Sequence, residues 1–340
     1  MNNILEIYTF NTEYIDLTFK KLNKLPDLTK YTKLKVLNCS NNQLTELSNL
    51  PNTLTTLDCS YNQLIELNYL PKTLTNLDCS NNKLVELSML PNTLTSLYCN
   101  NNQLTKLTNL PKILRKLNCK NNQLIELRNL PNTLTKLNCM NNKLTELSDL
   151  PKTLTKLNCS NNQLTELSNL PNTITILYCI YNYLTKLNNL PNKLLLLYCD
   201  HNKLTELNSL PDTLIVLICN NNQLIKLTNL PNTLNILYCS NNQLLKLNNL
   251  PNTLNQLCCS YNRLAKLTNL PDTLTKLYSS NNRLVFSNLS DLKKLDSFIK
   301  FFSLNKLLKI IFMYSVKRKC LKYKEELIIK TCHPSRLFFI

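Results

Sequence analysis

From Leu34 to about Leu289 the chain is one 20-residue unit copied thirteen times without an insertion or deletion. The first copy reads LKVLNCSNNQLTELSNLPNT and the second, from Leu54, LTTLDCSYNQLIELNYLPKT. A period this short rules out an ordinary multilayer domain. A single unit cannot bury its apolar side chains, and only stacking on copies of itself supplies a continuous core.

Within a unit, Leu37 and Cys39 alternate with variable residues, the period of a short strand buried on one face. Leu44, Leu47 and Leu50 are spaced by three, which predicts an extended or 3-10 segment with one side inward. Pro51 resists a longer helix there. Thirteen such strands would form a parallel ribbon roughly 60 Å long at the usual strand spacing. Asn42 and its equivalents recur through Asn282 without a gap. At the end of a strand, an inward amide can bond to the backbone of its own and the adjacent turn, so these residues are read as a structural polar ladder.

The LxxLxCxxNxLxxLxxLP frame resembles the leucine-rich-repeat family, in particular its short 20-residue class of bacterial type III effectors. The resemblance covers Leu34 to about Leu289. It implies a leucine-rich-repeat solenoid with a parallel β-sheet on the concave face, to which the residue spacing adds extended or 3-10 segments on the convex face and a helical C-terminal cap. The chain has Cys where the family usually has Leu, Ile or Val, and steps such as Leu47-Ser48-Asn49-Leu50-Pro51 in place of LPxLP. These departures argue against direct membership of the effector group. Together with a composition rich in Asn and Lys, without Gly and with Ala only at Ala265, they look like the repeat proteins of giant amoebal DNA viruses. With no Gly, Asn becomes the natural occupant of left-handed turn positions.

Of fifteen cysteines, the twelve from Cys39 to Cys259 hold one inward position. A free thiol there acts as a small hydrophobe, and parallel side chains on adjacent strands make neither a zinc tetrahedron nor a good disulfide. Cys258 faces outward and is either a reactive thiol or sequence drift. Cys320, Cys332 and His333 could together supply metal ligands, but their spacing is not a metal motif. His201 and His333 are the only histidines, with no local nucleophile and carboxylate beside them. Cys320 lacks the context of the ligase nucleophile that some such effectors carry. The chain is therefore read as a non-enzyme with no cofactor and no metal.

Three regions are expected: an N-terminal cap and degenerate repeat (1–33), the repeats (34–289) and a basic tail (290–340). Tyr14, Leu17 and Phe19 fall twenty before Leu34, Leu37 and Cys39, with Leu22 in place of the ladder Asn. Met1–Glu13 would cover the open edge as a short helix or coil. The tail has helical spacing of its apolar residues, read as a cap, with an amphipathic helix on an anionic membrane as the alternative. The net charge of +18 divides into 0 over residues 1–30, +10 over 31–290 and +8 over the last fifty. Acidic residues interrupt the N-terminal apolar residues and lysines interrupt the apolar run of the tail, so neither a secretory leader nor a membrane span is expected. This reading places the protein in the cytoplasm, that of the host if it is viral.

Function is sought in the variable strand residues that flank the buried Leu and Cys. These divide into three zones: a polar one with Asp58 and Asp78, a basic one with Lys116, Lys120, Lys136 and Lys156, and an apolar one. The last pairs Ile176, Leu196, Val216 and Ile236 with Tyr178, Tyr198, Ile218 and Tyr238. A contiguous apolar and aromatic patch is the usual centre of a protein-binding surface. The expected function is thus a recognition scaffold for an unidentified protein, a host protein among the candidates, with the lysines as a basic rim for acidic partner residues. Nucleic acid or an anionic surface, bound through the basic zone and tail, is the alternative.

Overall fold

In a computed structural model of the chain, residues 2–267 and 269–284 are described, all of them within one compact unit. Fourteen three-residue strands, from β1 (Tyr14–Asp16) and β2 (Val36–Asn38) to β14 (Lys276–Tyr278), form one parallel sheet in sequential order. From β2 onward each strand pairs with the next twenty residues on, so Leu37 meets Leu57 and Leu57 meets Leu77. Hydrogen bonds between neighbouring coils continue past the strands. Cys39 N donates to Asp58 O at 2.8 Å and Asn41 N to Ser60 O at 3.0 Å. The core is a stack of identical layers: Leu37, Cys39, Leu44 and Leu54 and their equivalents are fully buried along most of the stack.

The asparagine ladder is built as expected. Asn62 Nδ2 donates to Cys39 O of the preceding coil and to Cys59 O and Ser60 O of its own, while its Oδ1 accepts from Leu44 N at 3.0 Å. The same set recurs down to Asn282. A second ladder follows the prolines. Thr73 Oγ1 donates to Leu54 O at 2.6 Å and to Asn52 O at 2.7 Å of the previous coil, and most later units repeat it. Backbone at φ near +55° occurs twice in almost every unit, at the positions of Asn41 and Asn49. Asn fills most of these sites, in keeping with its tolerance of the left-handed region.

The convex segments are not 3-10 helices. Apart from the short 3-10 turn Asn2–Leu5, no helix is found among the described residues. A 3-10 segment needs bonds from residue to residue three along, but here the backbone bonds to the next coil. Gln63 N reaches Leu44 O at 2.8 Å, and Leu44 N is taken by Asn62 Oδ1. One bond of the local kind remains per unit, from Leu54 N to Pro51 O, and it closes a single turn. The leucine spacing of three therefore belongs to an extended coil wall. The helical cap expected over 290–340 lies outside the described residues, as do Cys320, Cys332 and His333, and nothing in the described chain supports such a cap.

The first unit also differs in register. Tyr14 pairs with Val36 and Ile15 with Leu37, an offset of 22. Leu17, not Phe19, takes the place of the buried Cys, and Leu17 N donates to Asn38 O as Cys39 N does to Asp58 O. Phe19 lies at the positive-φ turn and is exposed. Lys20, not Leu22, falls at the ladder position. Asn42 Oδ1 accepts from Lys20 N and Leu22 N, so the ladder ends where no earlier coil exists to receive another amide. The two extra residues fall between Leu28 and Leu34, where Tyr31 turns inward. Its hydroxyl donates to Leu5 O at 3.3 Å, and its ring lies 6.0 Å from that of Phe10.

Candidate recognition surface

Two columns of side chains leave the sheet on the side away from the core, at the first and last residues of each strand. A third, the equivalents of Ser40, continues the same face, because alternate residues of an extended chain share a side. The side chains confirm this placement: Ser40 Oγ donates to Asn38 Oδ1 and Ser60 Oγ to Asp58 Oδ1.

In the first zone Asp58 and Asp78 are held by Ser60 and Ser80, each of which donates its amide and its hydroxyl to the carboxylate two residues before. Burial raises the Asp78 carboxyl above its usual range against these bonds. In the basic zone Lys116, Lys136 and Lys156 stand on three adjacent paired strands. Lys116 is exposed, and Lys120, Lys136 and Lys156 are part-buried. Partial desolvation, and then the nearness of Lys156 and Lys116, lower the Lys136 ammonium.

The strands β9 (Ile176–Tyr178) to β12 (Ile236–Tyr238) bring the apolar columns into direct register: Ile176 with Leu196, Val216 and Ile236, and Tyr178 with Tyr198, Ile218 and Tyr238. The side chains partly cover one another. Tyr178, Val216 and Ile218 retain only 2%, 9% and 7% of their exposure, while Ile176, Leu196, Tyr198, Ile236 and Tyr238 are half-buried. The Tyr178 and Tyr198 rings stack at 4.6 Å, and burial, with the neighbouring Tyr198, pushes the Tyr178 phenol up to about 12. Tyr238 donates its hydroxyl to Gln256 Oε1 at 2.8 Å. The zone is thus a semi-continuous apolar floor and not a set of projecting side chains.

Sequence reasoning missed its margins. Leu195 and Ile215, one residue before β10 (Leu196–Tyr198) and β11 (Val216–Ile218), are 37% and 40% exposed and add apolar surface at the start of these strands. Their signal was available, since that column is mostly Thr elsewhere. At the other margin Tyr181 stacks on His201 with centroids 4.0 Å apart, and Lys203 Nζ lies 4.9 Å from the centre of the Tyr183 ring.

The cysteine column offers no chemistry. All twelve thiols are fully buried, and burial drives their acidity far below that of a free thiol; those of Cys119, Cys159 and Cys259 reach about 12. Several donate to the next coil, as Cys59 Sγ does to Asp78 O. Cys258 is half-buried with its sulfur 3.0 Å from Ser240 Oγ. Among the described residues no group of three or more His, Cys, Asp or Glu could hold a metal ion, and no helix is long and apolar enough to cross a membrane.

Among solved structures the chain is similar to YopM of Yersinia pestis, a leucine-rich effector protein. Identity is 35%, the match covers 80% of this chain and 84% of that one, and the TM-score is 0.70. The chain belongs to the leucine-rich-repeat family. YopM of Yersinia enterocolitica is 34% identical over 81% of this chain and 66% of its own, with a TM-score of 0.70. The functional domain of InlJ from Listeria monocytogenes, which includes a cysteine ladder, is 30% identical over 82% of this chain and 65% of its own, with a TM-score of 0.71. The chain therefore spans about two thirds of the length of these two. A more distant match, the circular leucine-rich-repeat protein CroV588 of a giant virus, is 28% identical over 75% of this chain and 48% of its own, with a TM-score of 0.51. No family model and no curated protein matches.

The departures from the effector pattern do not separate this leucine-rich-repeat chain from bacterial proteins, and a cysteine column is found in one of them. The fold and its relatives are those of non-catalytic scaffolds with a general protein-binding role.

Proposed function

We propose that the chain captures a protein partner on the sheet face formed by Ile176, Tyr178, Leu196, Tyr198, Val216, Ile218, Ile236 and Tyr238. The observation that carries this reading is that four consecutive coils, in register, are apolar or aromatic in both columns at once, which no other coil is. Apolar surface gathered in one place on a solenoid is costly in water and is recovered when a partner covers it. Lys116, Lys120, Lys136 and Lys156 lie one to three coils away and would select acidic residues at the edge of that partner, chiefly through encounter rate and specificity. The resemblance to effector proteins and to a giant-virus protein supports action in the cytoplasm of a host.

The test is capture from host-cell lysate by the intact chain beside a Leu196→Ser/Tyr198→Ser variant, with mass spectrometry of what is retained in low and high salt. One protein that survives salt and is lost by the folded variant is expected. Equal capture by both chains would overturn the assignment of the face. A second reading rests on the three neighbouring lysines, whose mutual repulsion is relieved by an anion. Nucleic acid would then be retained by both chains and released steeply by salt.

A further inference from the structure

Among the described residues, two buried side-chain N or O atoms lack any hydrogen-bond partner, and they belong to consecutive residues: Asp200 Oδ1 and His201 Nδ1. Buried polar atoms are almost always satisfied, so an adjacent unsatisfied pair calls for a reason. Asp200 is the single carboxylate in the column of Ser40 equivalents, which is mostly Ser and Asn. It shares the sheet face with Tyr198 two residues earlier and lies between Ile180 and Asn220 of the flanking coils. Ile180 is buried, and so is Ile218 beside it. Elsewhere in the column the polar groups are used: Ser160 Oγ accepts from Ile180 N, and Asn220 Oδ1 from Ser240 N. Asp58 and Asp78 on the same face are each tied down by a serine, whereas no salt bridge among the described residues reaches Asp200.

We infer that Asp200 receives an arginine or lysine side chain from the protein partner, which passes the stacked Tyr178 and Tyr198 rings to reach the carboxylate. This rests on the protein-binding reading of the same face and specifies the chemistry of its centre. The residue as a whole is only part-buried although its Oδ1 is closed off from water, so the incoming side chain has to part the neighbouring rings to reach the carboxylate. Ile180 and Tyr198 lie on one side of it and Asn220 on the other, and an arriving cation draws the carboxyl into its ionised form beside the ring faces. In the unbound chain burial pushes the Asp200 carboxyl up to about 8, with the amides of Asn220 and Asp200 itself opposing. The nearby titratable thiols of Cys179, Cys199 and Cys219 lie on the core side of the sheet and stay neutral by burial, so they set no charge against it. His201, stacked on Tyr181, adds an unpaired nitrogen at the margin. The partner is accordingly bipolar, with a basic residue among apolar ones over Asp200 and acidic residues toward Lys156, two strands across and four residues along, about 16 Å away.

The test is selection of a displayed random-peptide library on the intact chain. One enriched peptide is then synthesised and titrated against the intact chain, Asp200→Asn, Asp200→Ser and Leu196→Ser/Tyr198→Ser, with thermal melts showing each variant folded. Asp200→Ser restores the residue most common in its column and so keeps the question answerable if Asp200→Asn fails to fold. Peptides bearing Arg or Lys flanked by apolar residues are expected, bound about tenfold or more weakly by the Asp200 variants. Peptides that need Leu196 and Tyr198 but ignore Asp200, or a selection yielding no basic peptide, would overturn the inference and spare the protein-binding reading. Peptides indifferent to Leu196 and Tyr198 would overturn that reading itself.

Discussion

Each ladder asparagine spends both ends of its amide on the backbone, donating to carbonyls of two coils and accepting from an amide of the preceding one. Asn162 shows the case: Nδ2 serves Cys139 O, Cys159 O and Ser160 O, and Oδ1 serves Leu144 N. Asn162→Ala leaves the buried Leu144 amide without a partner, and a single orphaned group costs about 1–3 kcal/mol. The urea midpoint should fall well below that of Asn208→Ala, which alters an exposed asparagine; equal midpoints would refute the structural role. These asparagines were legible in the sequence because their chemistry is local and periodic, as was the preference for Asn at positive φ. Asp200 and His201 were not, since what marks them is a missing partner, and absence of a bond has no signature in residue spacing.

At the scale of one coil, the strand was legible from alternation, but the convex wall was not. Leucines three apart suit a 3-10 turn and an extended coil equally, and the deciding fact is that the backbone bonds go to the neighbouring coil. The first unit was misread for a similar reason. Counting back by twenty cannot reveal two inserted residues, whereas the strand pairing of Tyr14 with Val36 does. The two variable strand columns share one face, but their mutual burial depends on which side chains adjoin: a tyrosine between Asn158 and Tyr198 is covered, and one at Tyr278 is exposed. The insertion gives Tyr31 its role of fastening Leu5 and Phe10 to the first coil. Tyr31→Ala should raise amide exchange through residues 4–17 while the melting of the remaining stack changes little, as terminal units open independently. Unchanged exchange there would show that the terminal segment is held by other contacts.

For the molecule as a whole, contacts run almost entirely between a coil and its two neighbours, so length is not fixed by closure of a core. Deleting residues 134–153 joins Thr133 to Leu154 and preserves the frame. That chain should keep its β-type circular dichroism and a cooperative melt, whereas loss of residues 134–143 alone should not. A collapse of both would mean that the stack depends on a particular coil.

The uniform offset of twenty from β2 onward has a consequence for descent. Any in-frame duplication or loss of a whole period in the gene yields a chain whose seams already match, so copying errors that would ruin most proteins here produce a folded variant at once. Selection can then act on what lines the sheet face, a few side chains per copy, without re-solving the fold.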